Sequence, residues 1–253
     1  MHLGLVTYNL ARDWDISAII QRCTETGFEG VELRTTHAHG VEDTLTPEQR
    51  QAVRRQFAGS PITLVGLGTT FEYHSLDPQI VRQNIEGTKR YLQLAADVGA
   101  LGVKVRPNGH QEQAGIPRAK TLEQIGHAVR ECGVTARDLG LELRVEMHGS
   151  VAGASDMRQI FAVAGGYGWA CWNSNQIDVK DGSVQHDFDL VSRWIRLVHI
   201  TRIWNPDYPY AELFHLLKDT GYQGFCLAEI PSSADPVELM HYYRALFDAL
   251  GGR

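Results

Sequence analysis

The sequence lacks the cysteine patterns of disulfide-stabilised and zinc-knuckle proteins. Its 253 residues contain four cysteines, and no two of them form a CxxC pair. Cysteines this far apart disfavour both a disulfide framework and a zinc knuckle. Because unpaired cysteine is commonly buried, we expect four buried free thiols. They are Cys23, Cys132, Cys171 and Cys226.

Long apolar runs and basic clusters are also missing. No segment approaches the roughly 20 apolar residues that a membrane-spanning helix needs. The net charge is −6, and no stretch resembles the basic stripe of a nucleic-acid-binding protein. The opening MHLGLVTYNL also lacks the cationic and apolar segments of a secretory signal. We therefore expect a cytoplasmic protein that binds neither a membrane nor nucleic acid.

The sequence does contain short apolar runs that alternate with longer segments of helical period. The runs predict eight strands, at 3–7, 30–34, 62–67, 101–106, 141–146, 168–172, 195–200 and 224–229. An amphipathic segment follows each run, which predicts eight helices, the sixth at 188–195. This alternation favours one α/β domain, a (β/α)8 TIM barrel over residues 1–253. No GxGxxG follows the first strand, which weakens the alternative of a doubly wound nucleotide-binding sheet.

Polar residues end four of the apolar runs in the second half of the chain. They are Glu146, Asn173, His199 and Glu229. The carboxyl ends of barrel strands meet at one face, where active sites lie, so these side chains should converge. Carboxylate, imidazole and amide oxygen groups together suit a hard or borderline divalent cation. Asn175 is an alternative to Asn173 for the amide ligand, and either asparagine also suits a plain turn.

Further polar and aromatic residues follow the predicted strands and are candidates for substrate binding. Lys104 and Arg106 share one face of the fourth strand, where two cations are costly unless anions face them. Either the glutamates or an anionic substrate can supply those anions, and a salt-bridge network is the alternative role. Exposed aromatic faces also suit the apolar face of a sugar. The remaining candidates are Glu72, His74, His148, Arg202 and Trp204.

Several short runs carry a resemblance to a known family. They are GFEGVEL at 27–33, AADVGALGVKV at 95–105, VEMHG at 145–149, VHI at 198–200 and LAEIP at 227–231. In order and spacing they resemble the xylose isomerase-like TIM-barrel superfamily, in its sugar-phosphate isomerase/epimerase branch. The net charge of −6 argues against the AP-endonuclease branch of the same fold.

The resemblance implies a divalent metal, manganese, magnesium, cobalt or zinc, held by Glu, Asp, His and Glu from the last four strands. Glu146, His199 and Glu229 match three of these ligands, whereas Asn173 stands where the family has aspartate. This departure puts tight metal binding in doubt. The resemblance also implies that Arg202 orients the substrate.

The expected activity is metal-dependent isomerisation or epimerisation of a keto sugar or a related polyhydroxy carbonyl compound. Glu146 and Glu229 would move the proton, and the metal would stabilise the enediolate. A dehydratase or lyase acting on an inosose or keto-glycoside is the first alternative. The second is a non-catalytic sugar-binding barrel with a degenerate metal site. The expected ligand is a carbohydrate in each case, and the chain is a candidate homo-oligomer.

Overall fold

In the computed structural model, which describes residues 1–253, eight parallel strands close into a barrel. Strands β1 to β8 are His2–Val6, Gly30–Arg34, Thr63–Gly68, Gly102–Val105, Glu142–Glu146, Trp169–Asn173, Ile195–Ile200 and Phe225–Ala228. Each strand pairs with the next along the chain, and β8 closes the barrel against β1. The predicted (β/α)8 barrel is confirmed.

Eight helices follow the strands. Helices α1 to α8 are Ile16–Glu25, Pro47–Ala58, Pro78–Val98, Arg118–Asp138, Ala154–Ala164, Gln185–Val191, Tyr210–Asp219 and Pro236–Ala249. Asp15, Asp77 and Asp235 cap their helices by accepting a backbone N–H, which satisfies a donor that would otherwise lack a partner. After α3, Gly99 takes a φ of 82°, a left-handed conformation that glycine adopts without steric cost.

The sixth helix differs from its prediction at both ends. It begins three residues early and ends at Val191, and a 3-10 turn at Ser192–Trp194 follows it. Because β7 begins at Ile195, the chain must tighten and turn there rather than continue as α-helix.

The apolar core has two parts. The larger cluster of 63 buried residues lies between the barrel and its helices. A second cluster of five residues fills the lumen: Val6, Val65, Cys171, Leu197 and Leu227. All four cysteines are free and buried, as predicted. None of the eight helices combines the length and the apolar composition of a membrane-spanning segment.

A large cavity opens at the amino-terminal end of the barrel. It measures about 1020 Å³, and Thr63, Glu142 and Phe225 are among its lining residues. These residues begin their strands, whereas the predicted site lies where the strands end. The cavity is therefore at the opposite pole from the predicted site.

Candidate active site

A buried ion pair lies at the carboxyl end of the barrel lumen. Lys104 of β4 donates to Glu146, the last residue of β5, with 2.7 Å between Nζ and Oε2. Only 6% and 4% of the two side chains is exposed. Strand alternation turns both inward, and β4 pairs with β5 in a register that sets Lys104 beside Arg144, two residues before Glu146. A glutamate therefore faces Lys104, as one of the expected alternatives has it.

The second carboxylate oxygen of Glu146 also faces donors of the chain. Asn173 Nδ2 donates to Oε1 at 3.3 Å, and His199 Nδ1 lies 3.5 Å from the same oxygen. Burial alone would raise the pKa of Glu146. The charges of Lys104 and His199 outweigh that effect and hold the pKa well below its usual range. Glu146 is therefore ionised at neutral pH.

His199 lies between two carboxylates, one of which sequence reasoning missed. Its Nε2 is 3.4 Å from Oε1 of Glu32, a fully buried residue of β2 whose carboxylate oxygens have no hydrogen-bond partner. Burial opposes the charged imidazole, but Cys171 and the two carboxylates raise the pKa of His199 well above its usual value. The two carboxylates, Lys104 and a protonated His199 form an electrically balanced cluster.

Glu32 is not among the residues that the sequence predicts for the site, and it lies inside β2 rather than at its end. Alternation along GVELR places Glu32 on the same face as Arg34, the last residue of the strand. A glycine on β3 makes room for it, since a Cβ at Gly68 would lie 2.6 Å from Glu32 Oε1. A glutamate inside one strand and a glycine in the next strand were the sequence signal that could have indicated a buried carboxylate here.

Glu229 has a different environment from Glu146. It directly follows β8, its backbone N–H donates to Ile200 O at 2.8 Å, and its side chain is half-buried. Burial raises the pKa of Glu229, although His199 and Lys104 act in the opposite direction. The two glutamates thus have pKa values shifted in opposite directions.

The two candidate asparagines have different hydrogen-bond partners. Asn173 Oδ1 accepts the backbone N–H of Ser174 at 2.9 Å, and its amide N–H groups face Glu146. Asn175 Nδ2 donates to the backbone oxygen of Met147 at 2.7 Å. Asn173 is therefore the member of the cluster, and Asn175 holds the loop after β6.

Four of the candidate substrate contacts, Glu72, His74, Arg106 and His148, lie together above the cluster. Arg106 Nη2 is 3.5 Å from Glu72 Oε1, and His74 Nδ1 is 3.8 Å from Glu72 Oε2. His148 Nδ1 is hydrogen-bonded to Asn108 Oδ1 at 2.6 Å, and burial lowers the pKa of His148. These groups form a half-buried rim of alternating donors and acceptors.

Arg202 and Trp204 lie further out, on the loop after β7. Arg202 is exposed, and 43% of Trp204 is exposed. The indole packs edge-on against Tyr243 with ring centroids 6.2 Å apart, which fixes one side of the ring. The structure does not bring Arg202 into the Lys104 and Glu146 cluster.

The model of the xylose isomerase-like TIM-barrel family matches residues 20–164, more than half of the chain. The chain belongs to this family. No curated protein matches the sequence. Solved structures of this xylose isomerase-like fold include 3-keto-D-glucoside 4-epimerase from E. coli, with a TM-score of 0.78 and 16% identity over 100% of both chains.

Two further solved structures show the same fold at low identity. D-psicose 3-epimerase, solved in the presence of D-fructose, has a TM-score of 0.83 and 14% identity over 100% of both chains. The IOLI protein with a bound zinc atom has a TM-score of 0.80 and 13% identity, over 99% of this chain and 98% of its own. These likenesses establish the barrel architecture.

The donor set at the strand ends of this xylose isomerase-like barrel does not fit the divalent metal that the resemblance implies. An ammonium group already binds Glu146, and Asn173 presents N–H groups to that carboxylate. Both nitrogens of His199 face carboxylates. No group of three or more His, Cys, Asp or Glu side chains has the arrangement of a metal site. Three residues of the predicted ligand set, Glu146, Asn173 and His199, thus have contacts within the chain at the atoms that would bind a metal, and the four-residue metal site stays a prediction.

Proposed function

We propose that the chain is an isomerase or epimerase of a keto sugar or a related polyhydroxy carbonyl compound. The observation that carries this proposal is the pair of glutamates at one barrel mouth. The charges around Glu146 hold its pKa low, whereas burial raises the pKa of Glu229. Carboxylates whose environments push their pKa values apart are characteristic of acid–base active sites.

The two glutamates have different roles in this proposal. Glu229 removes the proton from the carbon beside the carbonyl and, in isomerisation, returns it to the carbonyl carbon on the same face, because a raised pKa suits a group that must both take and release a proton. Epimerisation inverts a single carbon, so there a second group must return the proton from the opposite face. Glu146 remains ionised and accepts a hydrogen bond from a substrate hydroxyl. From the sequence we expect both glutamates to carry the proton, and this proposal gives that role in isomerisation to Glu229.

The rim supports a polyhydroxy substrate. Arg106 and His148 supply donors, and Glu72 supplies acceptors, so alternate hydroxyl groups of a sugar find partners there. Trp204 offers an exposed aromatic face to the apolar side of a sugar ring. The epimerases of similar fold are named for D-psicose and a 3-keto-D-glucoside, which supports carbohydrate as the ligand class.

A panel of ketoses and keto-glycosides incubated with the protein tests the proposal. We expect NMR to show interconversion of at least one pair of isomers or epimers, and Glu229→Gln to lower its rate ~10²- to 10⁴-fold. Glu25→Gln, at the exposed end of α1, is the matched control and should leave the rate unchanged. Full activity in Glu229→Gln would remove the proposed base.

A dehydratase is the second candidate, and one observation favours it. The structure provides one carboxylate with a raised pKa, and proton removal by a single base also leads to elimination when the neighbouring carbon bears a leaving group. The same NMR spectra distinguish the two activities, since elimination gives a product that has lost water. Binding of the sugars without turnover would indicate the sugar-binding barrel instead.

A further inference from the structure

The ammonium group of Lys104 is the only lysine charge in direct contact with the buried cluster. It has three N–H donors, and one protein acceptor is hydrogen-bonded to them, Glu146 Oε2 at 2.7 Å. Nζ is therefore a cation with unused donors at the carboxyl end of the lumen. A bound divalent cation would have to displace it from Glu146.

We propose that Lys104 is the resident cation of this site in place of a divalent metal, and that its remaining N–H groups bind the substrate's carbonyl oxygen. The binding of the carbonyl oxygen by Lys104 depends on the proposed function, whereas the replacement of the metal by Lys104 does not. A fixed ammonium aimed at this oxygen stabilises the negative charge that develops there when the neighbouring proton leaves.

Position 173 supports the replacement. An aspartate there would add a carboxylate against Glu146, and a divalent ion would be needed to compensate the repulsion. Asn173 instead donates a hydrogen bond to Glu146 Oε1 at 3.3 Å. Asparagine in place of aspartate removes one negative charge from the site, and an ammonium group carries one positive charge fewer than a divalent metal. The two residues therefore complement each other: a singly charged cation and a neutral amide.

The backbone around Lys104 holds its side chain in the lumen. Thr69 donates to Lys104 O from its backbone N–H at 2.9 Å and from Oγ1 at 2.7 Å. The neighbouring residue on β3 is Gly68, which leaves space on that side. A side chain there would collide with Glu32, the other buried carboxylate near Lys104. This geometry lets two carboxylates and one lysine share the lumen.

Metal titration of the wild-type protein tests whether Lys104 takes the place of a divalent metal. Calorimetry with Mn²⁺ and with Zn²⁺, and metal analysis after purification without chelator, should show no stoichiometric binding. Asn173→Asp combined with Lys104→Met should bind Mn²⁺ at least ~100-fold more tightly than wild type. Lys120→Met, on the exposed start of α4, is the control and should behave as wild type.

Stoichiometric metal in the wild type, lost in Glu146→Gln, would overturn the proposal without any reference to activity. The wild-type titration also decides the question if the double variant does not fold. If Lys104 binds the substrate's carbonyl oxygen, the rate of sugar interconversion should be unaffected by EDTA and should fall ~10²- to 10³-fold in Lys104→Met. Exchange that EDTA abolishes would contradict it. Absence of exchange on every sugar would refute the proposed function and leave the titration result standing.

Discussion

Lys104 Nζ and Glu146 Oε2 lie 2.7 Å apart in the barrel interior, with less than a tenth of either side chain exposed. Each charge is buried, and each is the main compensation for the other. Losing one partner therefore leaves an uncompensated charge, whereas losing both does not.

The stability of single and double variants should show this dependence. We expect Lys104→Met or Glu146→Gln alone to lower the free energy of unfolding by about 3 to 5 kcal/mol, because one charge stays buried without its partner. The double variant should lose clearly less than the sum of the two. Urea unfolding followed by circular dichroism measures each value. Additive losses would show that the two groups do not stabilise one another.

A second prediction concerns Asp178, which follows β6 and is fully buried with neither carboxylate oxygen hydrogen-bonded. Burial, with a smaller effect of Asp187, raises its pKa from 3.8 to about 7. Between these pH values the unfolded chain has lost the proton and the folded chain retains it, so this residue makes stability fall as pH rises.

Asp178→Asn should therefore be more stable than the wild type at pH 8, by up to about 4 kcal/mol, and should differ little from it below pH 4. Thermal unfolding at a series of pH values measures the difference. Asp138→Asn, at the exposed end of α4, is the control for removing an acidic charge. An advantage of Asp178→Asn that is constant with pH would contradict the assignment.

The pH dependence of turnover should identify Glu229 as the base. Its pKa is raised mainly by burial, and only the ionised carboxylate removes a proton. Activity should therefore be lost as pH falls through a value above the ordinary glutamate pKa of about 4.3. The measurement is kcat/KM against pH for the best substrate of the panel. An acidic limb at or below that ordinary value would assign the proton transfer to another group.

Glu32 should control the protonation of His199, since their side chains approach to 3.4 Å. Removing its charge in Glu32→Gln should lower the pKa of His199, whose elevation depends partly on that carboxylate. Nitrogen NMR of labelled imidazole measures the titration. Glu29→Gln, near the opposite end of β2, should leave it unchanged. Equal shifts in both variants would indicate a general charge effect.

The fold was readable from the sequence because each strand is a short apolar run with polar or glycine boundaries. All eight observed strands begin and end within one residue of the predicted runs. The convergence of Glu146, Asn173 and His199 followed from their positions at strand ends, and Asn173 and His199 are direct neighbours across β6 and β7. Local pattern was sufficient for these features.

The contacts inside the lumen could not be derived in this way. The Lys104 and Glu146 pair depends on the register between β4 and β5, and the burial of Glu32 depends on a glycine in β3. Strand register depends on packing throughout the barrel, so it cannot be predicted from the sequence of one strand alone. The metal site was expected from the resemblance, which gave no sign of the contacts that Lys104 and Asn173 make with Glu146.

Deuterium incorporation is the most direct test of the central claim, that Glu229 transfers a proton at the carbon beside a sugar carbonyl. The protein is incubated with the panel in deuterated water, and proton NMR follows the signal at that carbon. We predict loss of the signal with wild type and with Glu25→Gln, and retention with Glu229→Gln. Retention with the wild type for every sugar that binds, or equal loss with Glu229→Gln, would contradict the claim.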